Sequence, residues 1–346
     1  MTSSEQIREV ARHYINGSMN LDVTPVEVGH IHSSWVVHSA EKSIFLQQVN
    51  NHVFENIRAL DQNISKVTTH LAQSSHGQNY DTLQLLRTHH GESMLMLAGR
   101  VWRAFSYHKD CASWTKPLNR AMVEEAARAF ASFVQGLSTL PLDQISDTIE
   151  EFHSLKKRIT SLQSALTKPI IKPIDEVYHL VDRAMMLWAY VRPLEEAASK
   201  GNLPTRIIHN DAKLNNLLFN HSHKVRCVVD LDTIMPGIIH YDVGDALRTM
   251  IPSHDEESGH DSMTLNLEYY TSFKTTYTQG NWLTETEFDL FDLAAPYMAT
   301  IMGVRFLTDH LLGNVYFKTK YLDQNLVRAK NQLHLASLFL ETLNLK

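Results

Sequence analysis

The chain opens with a helical pattern near residues 4–16 and then changes period. "VTPVEVG" (23–29), "SSWVVHS" (33–39) and "SIFLQQV" (43–49) are short β-branched or alternating runs, separated by "HIH" and "AEK". They read as strands, in which side chains two apart share a face. Next, Val53, Ile57, Leu60, Ile64, Val67 and Leu71 recur at three- and four-residue spacing, the period of a helix with one apolar stripe. "TLQLLRT" (82–88) and "GRVWRAFSY" (99–107) return to strand character. Up to about residue 108 the pattern therefore predicts a small sheet with one helix.

Beyond that point helices dominate. Val123, Ala127, Phe130, Val134 and Leu137 mark one, and Val177, Val181, Met185, Trp188 and Val191 another, each with a stripe turned to a core. Only "RIIHND", "NLLF" and "VRCVVDLD" interrupt them, as three short β-like pieces between residues 206 and 232. There is no internal repeat. The expected fold class is α+β, with a small antiparallel-sheet lobe over 1–108 and a larger, mainly helical lobe over 109–346.

Composition narrows the class of function. The chain is 43% hydrophobic and 20% charged, with a net charge of −6 and both signs dispersed, so no basic footprint points to nucleic acid or an anionic membrane. The longest apolar run, "LAAPYMATIMGV" (293–304), is too short to span a bilayer and contains a proline. "MTSSEQIREV" lacks a signal-peptide pattern. Cys111 and Cys227 stand in unrelated contexts, which fits the reducing cytoplasm better than a disulfide framework. Nothing in the sequence demands more than a monomer. The 20 histidines include no HExxH and no ligand-spaced tract, so scattered histidines are preferred to a zinc site.

Candidate chemistry is concentrated in "RIIHNDAKLNNLLFN" (206–220), where ionisable groups sit between two apolar runs. Asp211 follows one short strand, Asn216 precedes the next, and Asp230 ends a third. If those strand ends converge, Asn216 and Asp230 offer oxygens to one Mg²⁺, an ion that fills the rest of its shell with water and phosphate, and Asp211 stands ready to accept a proton. Phosphoryl transfer needs this set of parts.

"HNDAKLNN" followed by "VVDLDTIMPG" resembles the catalytic and metal motifs of the aminoglycoside phosphotransferase and choline kinase superfamily. "GHIHSSW", "FLQQVN", "YDVGDALR" and "RFLTDHLLGNVYFKTKYLDQNLVRAKNQ" extend the likeness, within it, to the N-acetylhexosamine kinases, from about residue 23 to 335. The resemblance implies a protein-kinase-like two-lobe fold and transfer from ATP, with Mg²⁺, to the anomeric hydroxyl of an N-acetylhexosamine. It implies Asp211 as catalytic base, a role contributing ~10²- to 10⁴-fold, Lys213 as a neutralising cation, and Asn216 and Asp230 as metal ligands. Nucleotide contacts are expected at Gly29, His32, Tyr107, Asn216 and Asp230. Sugar contacts are expected at His30, Arg305 and Tyr316, with Asp211 and Asp230 close to the hydroxyls.

Several of these residues have a second reading. Asp309 is a natural i, i+4 ion-pair partner for Arg305. Asp242 is expected to cap the helix that begins there and, from the resemblance, to brace the catalytic loop, with Asp245 in the first turn. His209 is expected to order the loop, and "HDEESGHD" (254–261) to be a solvated loop. One departure stands out. Gln47 and Gln48 occupy the third strand where most kinases carry a phosphate-binding lysine. Other alcohol kinases of the superfamily, and a non-catalytic kinase-like protein, are the alternatives.

Overall fold

The computed structural model describes the chain apart from residues 1–3, 16–19, 27–30, 52, 53, 55 and 346. After α1 (Ser4–Arg12) come β1 (Asp22–Val26), β2 (Ser33–His38) and β3 (Ser43–Gln48), as the alternation predicts. They are followed by α2 (Ile57–Gln73), α3 (Ser75–Asn79), β4 (Leu85–Leu86), β5 (Met94–Leu97) and β6 (Arg100–Ser106). The sheet is antiparallel throughout, in the order β1-β2-β3-β6-β4, with β5 also on β6. Strand β5 escaped the periodicity because "MLML" is too short to display one. Its hairpin to β6 turns at Ala98 and Gly99, whose φ of 52° and 72° are the left-handed values a two-residue hairpin needs. Helix α2 starts at Ile57, where Asn56 accepts from the Ala59 amide; Val53 lies outside the described residues.

Strand β6 is buried from Val101 to Phe105. Trp102 and Ala104 join Val37, Ile44 and Leu46 under α1, while Val101 and Phe105 enter the main core with Leu60, Ile64 and Val67 of α2. By the two-residue period Arg103 shares that second face, where a charged group must find a partner.

The helical part contains α4 (Arg120–Gly136), α5 (Leu155–Thr167), α6 (Asp175–Ser199), β7 (Arg206–Ile208), β8 (Leu217–Phe219), β9 (Val225–Val228), β10 (Met235–Gly237), α7 (Ile239–Met250), α8 (Leu267–Tyr277), α9 (Glu285–Asp289), α10 (Ala294–Leu311) and α11 (Gln324–Thr342). The strands form two ribbons, β8–β9 and β7–β10. The apolar run with the proline is α10, buried everywhere except Arg305 and Thr308, so it is the central core helix. Helix α7 lies against it because position 244 has no side chain; a Cβ there would come within 2.3 Å of the Ala294 carbonyl oxygen. Among the described residues no helix is long and apolar enough to cross a membrane. The segment leaving β6 reaches the helical part where Ala112 pairs with Phe219 of β8.

Candidate active site

The loop after β7 turns at Asn210, whose φ is 60°, a left-handed value that asparagine tolerates. Buried Asp242 of α7 holds this turn by accepting the amides of His209 (2.9 Å) and Asn210 (2.7 Å). It does not cap α7, which begins three residues earlier with no side-chain cap; its carboxylate is committed to the loop instead. Asp245, in the second turn, pairs with Arg248 at 2.6 Å. His209 is fully buried and donates Nε2–H to the Val229 carbonyl at 2.9 Å, an ordering role. From outside, His153 Nε2 bonds the Asn210 carbonyl at 3.0 Å.

Within the loop, Lys213 Nζ lies 3.0 Å from Asp211 Oδ1. Asn216 donates its amide to the Asp211 carbonyl (2.7 Å) and to Asp211 Oδ2 (3.0 Å). Asn216 precedes β8 and Asp230 follows β9, and the register of that hairpin brings both to one end: Leu217 opposes Val228, and the Val229 amide donates to the Asn216 carbonyl at 2.9 Å. Asp230 is left-handed, with φ 62° and ψ 57°. Asp230 is exposed to solvent, with the charges of Asp232, Asp211 and Lys213 bearing on its carboxylate.

Burial pushes the Asp230 carboxyl up, and the neighbouring charges of Asp232 and Asp211 push it further. Burial also raises Asp211, but Lys213 and His209 outweigh it and hold that carboxyl below its usual range. Burial lowers Lys213, and the charges of Asp211 and Asp245 reverse this, so it is firmly protonated. Two further carboxylates, Asp232 and Asp211, thus bear on Asp230, and a divalent cation there would relieve the repulsion. Among the described residues no three His, Cys, Asp or Glu side chains are grouped to hold a metal alone. Mg²⁺ does not require that, because one or two protein oxygens suffice when phosphate and water complete its shell. The open Asp230 carboxylate fits, as does the Asn216 carbonyl oxygen, since its amide nitrogen is already committed.

The other expected site residues are more dispersed. Gly29 and His30 lie outside the described residues. Both nitrogens of His32 are committed: its Nδ1 accepts the Asn50 amide at 3.0 Å and its Nε2 bonds Asp232, so neither is left for nucleotide. Tyr107 follows β6 directly, with its ring edge-on to His38 at 5.7 Å. Arg305 does not pair with Asp309. Its guanidinium sits over the rings of Phe152 (5.2 Å), Phe317 (5.3 Å) and Tyr316 (5.4 Å). Asp309 instead accepts the backbone amides of Val315, Tyr316 and Phe317 and the Asn325 amide, which fixes the turn that presents Tyr316. Phe152 adjoins His153, which bonds the Asn210 carbonyl, so Arg305 lies beside the loop bearing Asp211. The acidic segment 254–261 is pinned rather than merely solvated: buried Arg248 pairs with Glu256 at 2.6 Å and buried Arg328 with Glu257. An open groove of about 710 Å³ between α5 and α10, lined by Lys157, Lys168 and Thr308, contains none of the catalytic-loop residues.

Residues that the sequence reading missed include Arg103, Asp232 and Asn63. Their signal was a polar side chain at an otherwise apolar position: an arginine inside "VWRAF", and an asparagine on the stripe of α2.

The chain matches the phosphotransferase enzyme family APH over residues 22–263. It belongs to that family. The fold agrees with solved structures over nearly its whole length. A microcompartment-associated aminopropanol kinase superposes with a TM-score of 0.68 at 18% identity, covering 99% of each chain. An amicoumacin kinase, solved with AMP-PNP, Ca²⁺ and Ami, gives 0.62 at 13%, covering 97% of this chain and 93% of that one. A spectinomycin phosphotransferase, solved with ADP and spectinomycin, gives 0.60 at 13%, covering 97% and 98%. This phosphotransferase therefore has the kinase-like architecture of an antiparallel sheet followed by a mainly helical part.

Proposed function

We propose that this phosphotransferase uses ATP and Mg²⁺ to phosphorylate the anomeric hydroxyl of an N-acetylhexosamine, giving the sugar 1-phosphate. The observation that carries the reading is the meeting of Asp211, Lys213, Asn216 and Asp230 at one solvent-open point. Nucleotide as donor is supported by the family and by the ADP and AMP-PNP bound in the spectinomycin and amicoumacin enzymes. The adenine would bind along the Tyr107 segment between the two parts.

Asn216 and Asp230 would hold Mg²⁺, which supplies neutralisation of phosphate charge when bound. Asp211 receives the proton of the anomeric hydroxyl as its oxygen bonds to the γ-phosphorus and the bond to the β-phosphate oxygen breaks, releasing ADP. Its carboxyl is held below the usual range and is ionised at neutral pH, so it contributes orientation and a ready acceptor more than strong basicity. Lys213 remains charged and stabilises the phosphoryl oxygens.

The acceptor class follows from charge. Neither Arg305 nor Arg158 has a carboxylate partner among the described residues, and each raises the potential felt by the other; burial and then Arg305 lower Arg158 to about 10. Two such guanidinium groups disfavour a cationic acceptor such as choline, an amino alcohol or an aminoglycoside. They suit hydroxyl and acetamido oxygens, which accept their N–H groups, above the aromatic faces of Phe152 and Tyr316. The test is ADP release with N-acetylglucosamine, N-acetylgalactosamine, choline, aminopropanol and kanamycin. Turnover of the amine-bearing alcohols alone would reject the acceptor, and no turnover with any hydroxyl compound would favour a non-catalytic kinase-like protein.

A further inference from the structure

Three side chains form a polar row across adjacent strands. Ser34 of β2, Gln47 of β3 and Arg103 of β6 are register partners. Gln47 Nε2 donates to Ser34 Oγ at 3.2 Å, and Gln47 Oε1 accepts from Arg103 Nε (3.0 Å) and Nη2 (2.8 Å). Arg103 Nη2 then crosses to the helical part and donates to Asp232 Oδ2 at 2.7 Å. Nη1 lies 2.6 Å from Asp232 Oδ1 but off the hydrogen-bond line, adding charge rather than direction. His32 closes the cluster from the end of β2. Because its Nδ1 accepts the Asn50 amide, its Nε2 carries the hydrogen and donates to Asp232.

Arg103 and Asp232 are 1% and 4% exposed. A buried pair of this kind adds little stability over an apolar pair of equal volume, because desolvation offsets the attraction. What it does provide is a fixed distance and direction between the sheet and the loop that it grips. That loop carries Asp230, separated from Asp232 only by buried Leu231. Of the two third-strand glutamines that stand where most kinases carry a lysine, Gln47 thus turns its oxygen to Arg103.

We infer that Arg103 is a positioning residue: with Gln47 as its neutral support, it clasps Asp232 and so sets the Asp230 carboxylate for the metal–nucleotide complex. In this chain the sheet acts on the phosphate site through the metal loop and not through a third-strand cation. The inference rests on the reading of Asp230 as a Mg²⁺ ligand. It also assigns Gln47 a requirement for neutrality, since a lysine there would set a second cation against Arg103.

The test is a Mg²⁺ titration of ADP binding by calorimetry on the full chain, with melting temperatures and steady-state kinetics alongside. Arg103→Gln should raise the half-saturating Mg²⁺ concentration by about 10- to 100-fold, as loss of a residue that orients a metal ligand does. It should raise KM for the nucleotide and leave KM for the acceptor unchanged. Arg103→Lys can reach Asp232 but not Gln47 as well, and should recover part of the loss. Gln47→Lys should weaken Mg²⁺-dependent binding. Tighter ADP binding by Gln47→Lys would overturn the inference, because position 47 would then face the phosphates. So would an Arg103→Gln chain that melts lower yet binds Mg²⁺ and ADP as the wild type does; if that variant does not fold, Arg103→Lys and Gln47→Lys decide. A wild-type chain whose ADP binding ignores Mg²⁺ is a separate outcome, which removes the metal reading and the inference together.

Discussion

The loop bearing Asp211 and the loop after Asp230 are held from opposite sides. The loop bearing Asp211 is fastened to the helical part, by Asp242 at the His209 and Asn210 amides, by His153 at the Asn210 carbonyl, and by His209 at the exit of β9. The loop after Asp230 is fastened to the first hundred or so residues, by Arg103 and His32 at Asp232 and by Asn63 of α2 at the Ile234 carbonyl, 3.0 Å. The loops join where Thr233 Oγ1 donates to the His209 carbonyl at 2.8 Å. The proposed proton acceptor and the proposed metal ligand therefore answer to different supports. Changes on the helical side should act on turnover, and changes on the sheet side on nucleotide affinity.

The sharpest test of that division is Asp211→Asn. Removing the proposed proton acceptor should lower kcat by about 10²- to 10⁴-fold, while ADP affinity measured by calorimetry stays near the wild-type value. Activity retained within a few fold would end the assignment of Asp211 and dissolve the contrast between the loops.

A smaller effect is expected from Asn63→Ala. Asn63 is 1% exposed and bonds the Ser146 carbonyl and amide as well as Ile234. Truncation leaves the buried Ile234 carbonyl without this partner, at a cost of about 1–3 kcal/mol, read as a lower midpoint in urea. Because Ile234 belongs to the loop after Asp230, the proposed metal ligand, KM for ATP should rise more than kcat falls. The reverse order would mean that the two loops move as one.

The mildest test is acid. Burial lowers His153 to about 3, from an ordinary 6.5, so between those values the unfolded chain binds a proton that the folded chain refuses. The stability that depends on neutral His153 is complete above pH 6.5 and is lost as pH falls from there toward 3, with a slope of about 1.4 kcal/mol per pH unit at most. His76 and His240, each lowered by burial to about 4, act in the same sense. Asp242, raised by burial to about 6, acts in the opposite sense between 3.8 and 6. Urea midpoints at pH 7, 6 and 5 should therefore fall less steeply for His153→Gln than for the wild type. Equal slopes would show that His153 is protonated in the fold.

Much of the catalytic loop was legible because its parts are close in sequence. Asp211, Lys213 and Asn216 share one turn, and a hairpin of apolar strands returns the chain to Asp230, so their meeting required only that the strands pair. Asp309 was misread for a different reason. Helical spacing offered Arg305 as a partner, but α10 ends at Leu311 and the chain folds back, presenting three backbone amides whose need for an acceptor no side-chain pattern records. Likewise, "HDEESGHD" has the composition of a solvated loop, and the arginines that hold it are buried in α7 and α11.

Periodicity determined the coarse order, a sheet followed by helices, and local polarity marked the candidate site, because both depend on neighbours within a turn or a hairpin. Only the tertiary structure decided which charges are matched. Asp230 and Asp232 are one residue apart from being adjacent, yet one faces solvent and the other is gripped by Arg103, 129 positions away. A charge takes its meaning from the groups packed within a few ångströms of it, and for buried ions those groups are brought together by the docking of whole elements.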